Sequence, residues 1–128
     1  MDLSNFDTVK GSDEGAVMYV RHPVTNEKTD AWIKLAGPDS KIAKQRRAEI
    51  RRRFRNDKSG ELDFDALEEE AMQTRISVTL DWGGIELDGK LAFNKTNVKK
   101  VYQQFPWLVE QVDKFQGDRV NFMNTSSE

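Results

Sequence analysis

The sequence predicts an α+β, mostly helical fold, with an N-terminal β-hairpin followed by about four helices. Two short segments rich in Val, Ile, Tyr and Trp lie early in the chain, as strands do. Proline, glycine and asparagine then punctuate the chain where helices would start and stop. Charged, strongly helix-forming runs fill the middle.

Taken in order, residues 1–15 are polar, contain Gly11, Ser12 and Gly15, and read as a flexible N-terminal arm. AVMYVR (16–21) and DAWIKLA (30–36) make the hairpin, and HPVTNEKT between them supplies turn chemistry through Pro23 and Asn26. Gly37, Pro38, Asp39 and Ser40 break the second strand. Asp39 or Ser40 is then the N-cap of a helix spanning residues 40–55, with Ile42, Ala43, Ala48, Ile50 and Phe54 as its sparse apolar positions. NDKSG (56–60) is a loop.

The segment FDALEEEAMQTRISVTLDW (64–82) holds two incompatible periods. Phe64, Leu67, Ala71, Val78 and Trp82 fit one helical face. Ile76, Val78, Leu80 and Trp82 alternate with polar residues, which is strand spacing. The helix formers from Ala66 to Gln73 favour a single long helix ending at Gly83, with Trp82 folded inward and the glycine left-handed. Beyond the turn, Asn94 caps a helix carrying Val98, Val101, Tyr102 and Phe105. Pro106 opens another, with Leu108, Val109, Val112 and Phe115 inward and Gly117 as its stop. Residues 16–122 form one domain on this reading, and 123–128 a polar tail.

Composition narrows the function. Hydrophobic residues make up 37% and charged residues 33%, so the core is lean and part of the apolar surface is expected to be covered by a partner or by self-association. A net charge of −2 argues against a whole-molecule affinity for nucleic acid or anionic membrane. Without cysteine there is neither disulfide nor thiolate chemistry. No apolar run is long enough to span a bilayer, and the acidic N-terminus lacks the basic-then-apolar order of a signal peptide. A soluble intracellular protein is expected.

The strongest local signal is charge. Residues 41–55 carry eight cations, among them Arg46, Arg47, Arg51 and Arg52, against Glu49 alone; residues 57–70 carry seven acids against Lys58 alone. Such a pair of segments suits a charge-complementary hairpin or pairing with a neighbouring subunit. It argues against nucleic-acid binding, since Phe54 is the single aromatic residue among these cations to stack on bases. The four arginines are candidates for subunit or partner pairing.

RNDKSGELDFDA (55–66) has the outline of a calcium loop, but Arg55 and Ala66 stand where the entering carboxylate and the bidentate glutamate are required. His22 is the only histidine and has no companion ligand. No nucleophile elbow or phosphate-cradling loop occurs, so neither catalytic nor metal nor cofactor residues are assigned. Of Trp32, Trp82 and Trp107, the last two are candidate interface anchors.

The order of these features resembles that of the tail assembly chaperones of long-tailed bacteriophages. The likeness rests on "MYVRHPVTNEKTDAWIKLAGPDS" and, more closely, on "LDWGGIELDGKLAFNKTNVKKVYQQFPWLVEQVDKF", with Asn121 and Phe122 after the last helix, and it covers residues 16–122. It implies a small helical protein of the host cell cytoplasm, absent from the mature virion. Such a protein binds and solubilises the tape-measure protein, helps recruit tail-tube subunits and self-associates into rings or spirals. Two rival readings stand beside it: a structural tail-completion or head–tail joining protein that stays in the particle, and a nucleic-acid-binding module using residues 41–55.

Overall fold

β1 (Ala16–Arg21) and β2 (Lys28–Leu35) form the expected antiparallel hairpin. Its turn is held by His22, whose Nδ1 accepts from the amides of Val24 and Thr25, while Asn26 takes a left-handed φ of 63°. The lone histidine thus builds a turn. The computed structural model describes residues 1–55 and 63–123. The loop at 56–60, most of the calcium-loop-like stretch and the end of the polar tail lie outside the described residues.

The fold is α+β and mostly helical. After the hairpin come α2 (Lys41–Arg55) and α3 (Phe64–Val78), then β3 (Thr79–Gly83), α4 (Lys95–Gln104) and α5 (Pro106–Gln116). The first helix, α1 (Thr8–Glu14), precedes the hairpin. Strand order is β1-β2-β3, all antiparallel. Met18, Val20, Ile33, Leu35 and Trp82 point to one face, where Val98, Val101 and Tyr102 of α4 and Leu108 and Val112 of α5 close the main core. A smaller cluster of Ala36, Ala43 and Val78 sits between α2, α3 and the sheet.

Two expectations need correction. The single helix over 64–82 ends at Val78, and residues 79–83 pair with β2 through Ile33–Trp82 and Trp32–Gly83. The alternating pattern wins there because β2 offers an unpaired edge and the helix end is tied off from elsewhere. Lys95 Nζ donates to the carbonyls of Ile76 at 2.9 Å and Thr79 at 2.6 Å, meeting acceptors that a continuing helix would have used. Buried Thr79 shares a 2.7 Å hydrogen bond with Tyr102, whose hydroxyl pKa burial pushes up to about 12. The left-handed glycine is Gly84, at φ 71°, in place of Gly83, and Phe64 lies 77% exposed off the predicted face. Asn94 does cap α4 through Asn97, and Pro106 does open α5.

The second correction concerns residues 1–15. Leu3–Phe6 form a 3₁₀ turn, and Asp7 caps α1 by accepting from Val9 and Lys10. Ser12 is fully buried, its Oγ accepting from the amide of Asp39. Gly11 lies directly against the carbonyl of Phe122 in the C-terminal 3₁₀ turn Arg119–Phe122. The glycines that suggest flexibility instead allow backbone to touch backbone. Gly11→Ala is expected to cost about 1–3 kcal/mol by overpacking this contact. Limited proteolysis should then cut the first fifteen residues faster, and an unchanged cleavage rate would show that the contact is not closed in solution.

Asp39, expected as a possible cap, instead joins the two ends. Ser40 caps α2 by accepting from Ala43. The Asp39 carboxylate accepts from Arg119 at 2.8 and 3.0 Å and from Thr8 at 2.6 Å. The Arg119 and Thr8 hydrogen bonds hold its pKa down at about 2, against an ordinary 3.8. A depressed carboxylate stabilises the fold fully above its unfolded pKa and loses that contribution as pH falls through the folded one. The stability difference between wild type and Asp39→Asn should therefore be constant above about pH 5 and shrink between about pH 4 and pH 2. Thermal melts over that range test it; a difference independent of pH would mean that the ion pair does not form.

Candidate functional site

The four candidate arginines divide between interior and surface. Arg46 faces α3, and its side chain is only 14% exposed. It donates to Glu70 Oε2 at 2.7 Å, to Thr74 Oγ1 at 3.3 Å and to Glu49 one helical turn on. Arg53 donates to the other Glu70 oxygen at 2.8 Å. Burial raises the Glu70 pKa, but the hydrogen bonds from Arg53 and Arg46 outweigh it and leave the carboxyl below its ordinary range. The charge complementarity of the two segments is therefore satisfied within the chain at these positions. Arg46 is a packing residue, not an available interface residue. Arg47 donates to the Pro38 carbonyl at 2.9 Å. Arg51 and Arg52 are exposed and make no ion pair among the described residues.

The tryptophans divide in the same way. Trp82, on β3, is 6% exposed, stands edge-on to Phe93 with centroids 5.6 Å apart, and donates from Nε1 to the Leu91 carbonyl at 3.0 Å. Those contacts consume both its apolar face and its polar handle, so it is core and not an anchor. Trp107 is 36% exposed. It occupies the second position of α5, off the Leu108–Val112–Phe115 stripe, and stands edge-on to Phe105.

Trp107 borders a largely apolar groove of about 350 Å³. Val20 and Ala31 from the hairpin form one wall, Ile85 and Gly84 another, and Phe105, Trp107 and Leu108 the third. Arg21 and Glu86 stand at its margins. Gly84 belongs there because its left-handed turn brings the chain against Ala31 and the Asp30 carbonyl. Sequence reasoning missed Phe105 and Ile85 as groove residues. The signal present was Phe105-Pro106-Trp107: a proline that starts a helix sets its two flanking aromatics at the helix start, outside the Leu108–Val112–Phe115 stripe.

Chemically, this arrangement can bind. Its lining offers apolar area and two opposite charges at the edge; His22 and Thr29 also line it, with His22 Nδ1 taken up by the turn amides and the Thr29 hydroxyl by the Val20 carbonyl. Among the described residues, no three His, Asp or Glu side chains gather as a metal-binding group. No helix among the described residues is long and apolar enough to cross a membrane. Compared with known proteins, the chain matches no family model, no curated protein and no solved structure.

Proposed function

We propose that this protein is a tail assembly chaperone of a long-tailed bacteriophage, acting by binding and not by catalysis. It holds the tape-measure protein soluble in the host cell cytoplasm, helps bring tail-tube subunits to it, and is left out of the mature virion. The observation that carries the reading is the open apolar groove beside Trp107, taken with the ordered motifs of residues 16–122 that resemble that family. A long helical client presents apolar side chains at i, i+3 and i+4, and such a stripe docks into apolar grooves. The groove's volume suits a few such side chains, so the client would be held by repeated weak contacts along its length. Self-association of the chaperone would supply that repetition.

The test is co-expression with the largest helical tail protein encoded beside this chain. Soluble yield and co-purification are expected to rise in its presence, and Trp107→Ala should reduce both while leaving the circular dichroism spectrum unchanged. A client that aggregates equally with and without the chain would overturn the reading. Retention of the chain in purified virions would favour a structural tail-completion or head–tail joining protein.

A further inference from the structure

Among the described residues, strand β1 has a partner on one side only, because the sheet order places it at an edge. Edge strands display unpaired amides and carbonyls, and natural proteins usually block them. Here one residue of the edge is blocked. The Gln111 side chain, reaching from α5, accepts from the Arg21 amide at 2.9 Å and donates to the Arg21 carbonyl at 2.9 Å. A side-chain amide is doing at Arg21 what the backbone of an added strand would do.

Backbone groups of an edge strand alternate between partner side and open side. The register irregularity beyond Tyr19 lies in β2, where Lys28 to Trp32 stands opposite Tyr19 to Arg21. The Val20 carbonyl turns to β2, where Thr29 Oγ1 donates to it at 2.6 Å. The alternation therefore carries the amides and carbonyls of Tyr19 and Val17 to the same open side as those of Arg21. That side faces a groove of about 510 Å³ between β1 and α5.

We infer that the outer edge of β1 is a strand-addition site for an extended acidic peptide of a partner protein, pairing with Val17 and Tyr19. The chemistry of the occupant follows from the groove. Arg21, Lys28 and Lys114 line it against the single carboxylate of Asp118, whose Oδ1 already accepts from the Val120 amide. Lys28 Nζ sits 4.1 Å from the Tyr19 ring, on the face that carries Val17 and Tyr19. An added strand alternates its side chains between two faces. Acidic residues on one face would meet Arg21 and Lys28, and apolar residues on the other would meet Met18 and Phe115. Backbone pairing supplies affinity and the alternating side chains supply specificity. This site adjoins the Trp107 groove at Arg21, which lines both, but its pairing edge at Val17 and Tyr19 is not part of that groove and does not depend on the identity of its client.

The probe is a blocked heptapeptide alternating glutamate and valine, with a lysine–valine heptapeptide as its counterpart, titrated calorimetrically into the full chain. The glutamate peptide is expected to bind and to slow hydrogen exchange at the Val17 and Tyr19 amides. The double variant Lys28→Glu, Lys114→Glu should bind it at least about tenfold more weakly and prefer the lysine peptide, as opposite charges across an interface set partner choice. Tyr19→Pro removes one outward N–H at an edge, where proline is tolerated, and should weaken both peptides. Equal binding of the two peptides by the wild type, or protection confined to other residues, would overturn the proposal. So would a dimer without peptide, protected at Val17 and Tyr19, since a second copy would then be the occupant.

Discussion

Trp82→Ala should lower the stability of this protein by about 3–5 kcal/mol, the range for emptying a buried tryptophan site. The side chain fills the sheet face of the core between Ile33 and Phe93, and truncation also leaves the Leu91 carbonyl without its Nε1 donor. For a domain of this size that loss is a large part of the whole margin. Chemical denaturation of Trp82→Ala and of Trp82→Phe measures it; the phenylalanine variant should recover part of the loss, because it refills much of the volume but lacks the donor. A residue that served as an exposed anchor would behave oppositely, with unchanged denaturation and weakened partner binding. Stability within about 0.5 kcal/mol of wild type, the usual span for surface changes, would refute the core assignment.

Arg46→Glu is expected to cost about 3 kcal/mol, while Arg51→Glu and Arg52→Glu should each remain within about 0.5 kcal/mol of wild type. The difference lies in what each guanidinium faces. Arg46 stands mostly buried between Glu70 and Glu49, so reversal places a third carboxylate among two and removes the donor to Thr74. Among the described residues Glu70 would keep only Arg53, whose side chain is 44% exposed and worth correspondingly less. Arg51 and Arg52 point outward. Changing all four candidate arginines together would thus confuse unfolding with loss of partner binding. Arg51 and Arg52 alone are the pair whose reversal tests an interface: a shift in solution mass without a shift in melting temperature would indicate subunit pairing, and no shift in either would exclude it for that face. Equal melting temperatures for Arg46→Glu and wild type would show that the Glu70 network contributes nothing.

Local chemistry determined a good part of this molecule by sequence alone. The hairpin follows from β-branched and aromatic runs around a proline–asparagine turn. The last two helices follow from Asn94 and Pro106, because a cap and a proline act through backbone groups within a few residues. The α+β class follows from those signals together. Trp107 was legible as a candidate anchor only alongside Trp82; its place off the apolar stripe of its own helix is the signal that separates the two.

What the tertiary structure decided were the competitions between signals of similar strength. Residues 79–83 carry a helix period and a strand period at once, and the open edge of β2 with the Lys95 ammonium at the helix end selects the strand. Residues 1–15 hold glycines that read equally as flexibility or as close approach, and only the Phe122 carbonyl, more than a hundred positions away, distinguishes them. The arginines of α2 are alike in sequence; contact with Glu70 divides buried Arg46 from exposed Arg51 and Arg52. Short-range signals bias each segment by a kcal/mol or so, which is the same size as one buried contact, so where two such biases oppose each other the long-range contact settles the outcome.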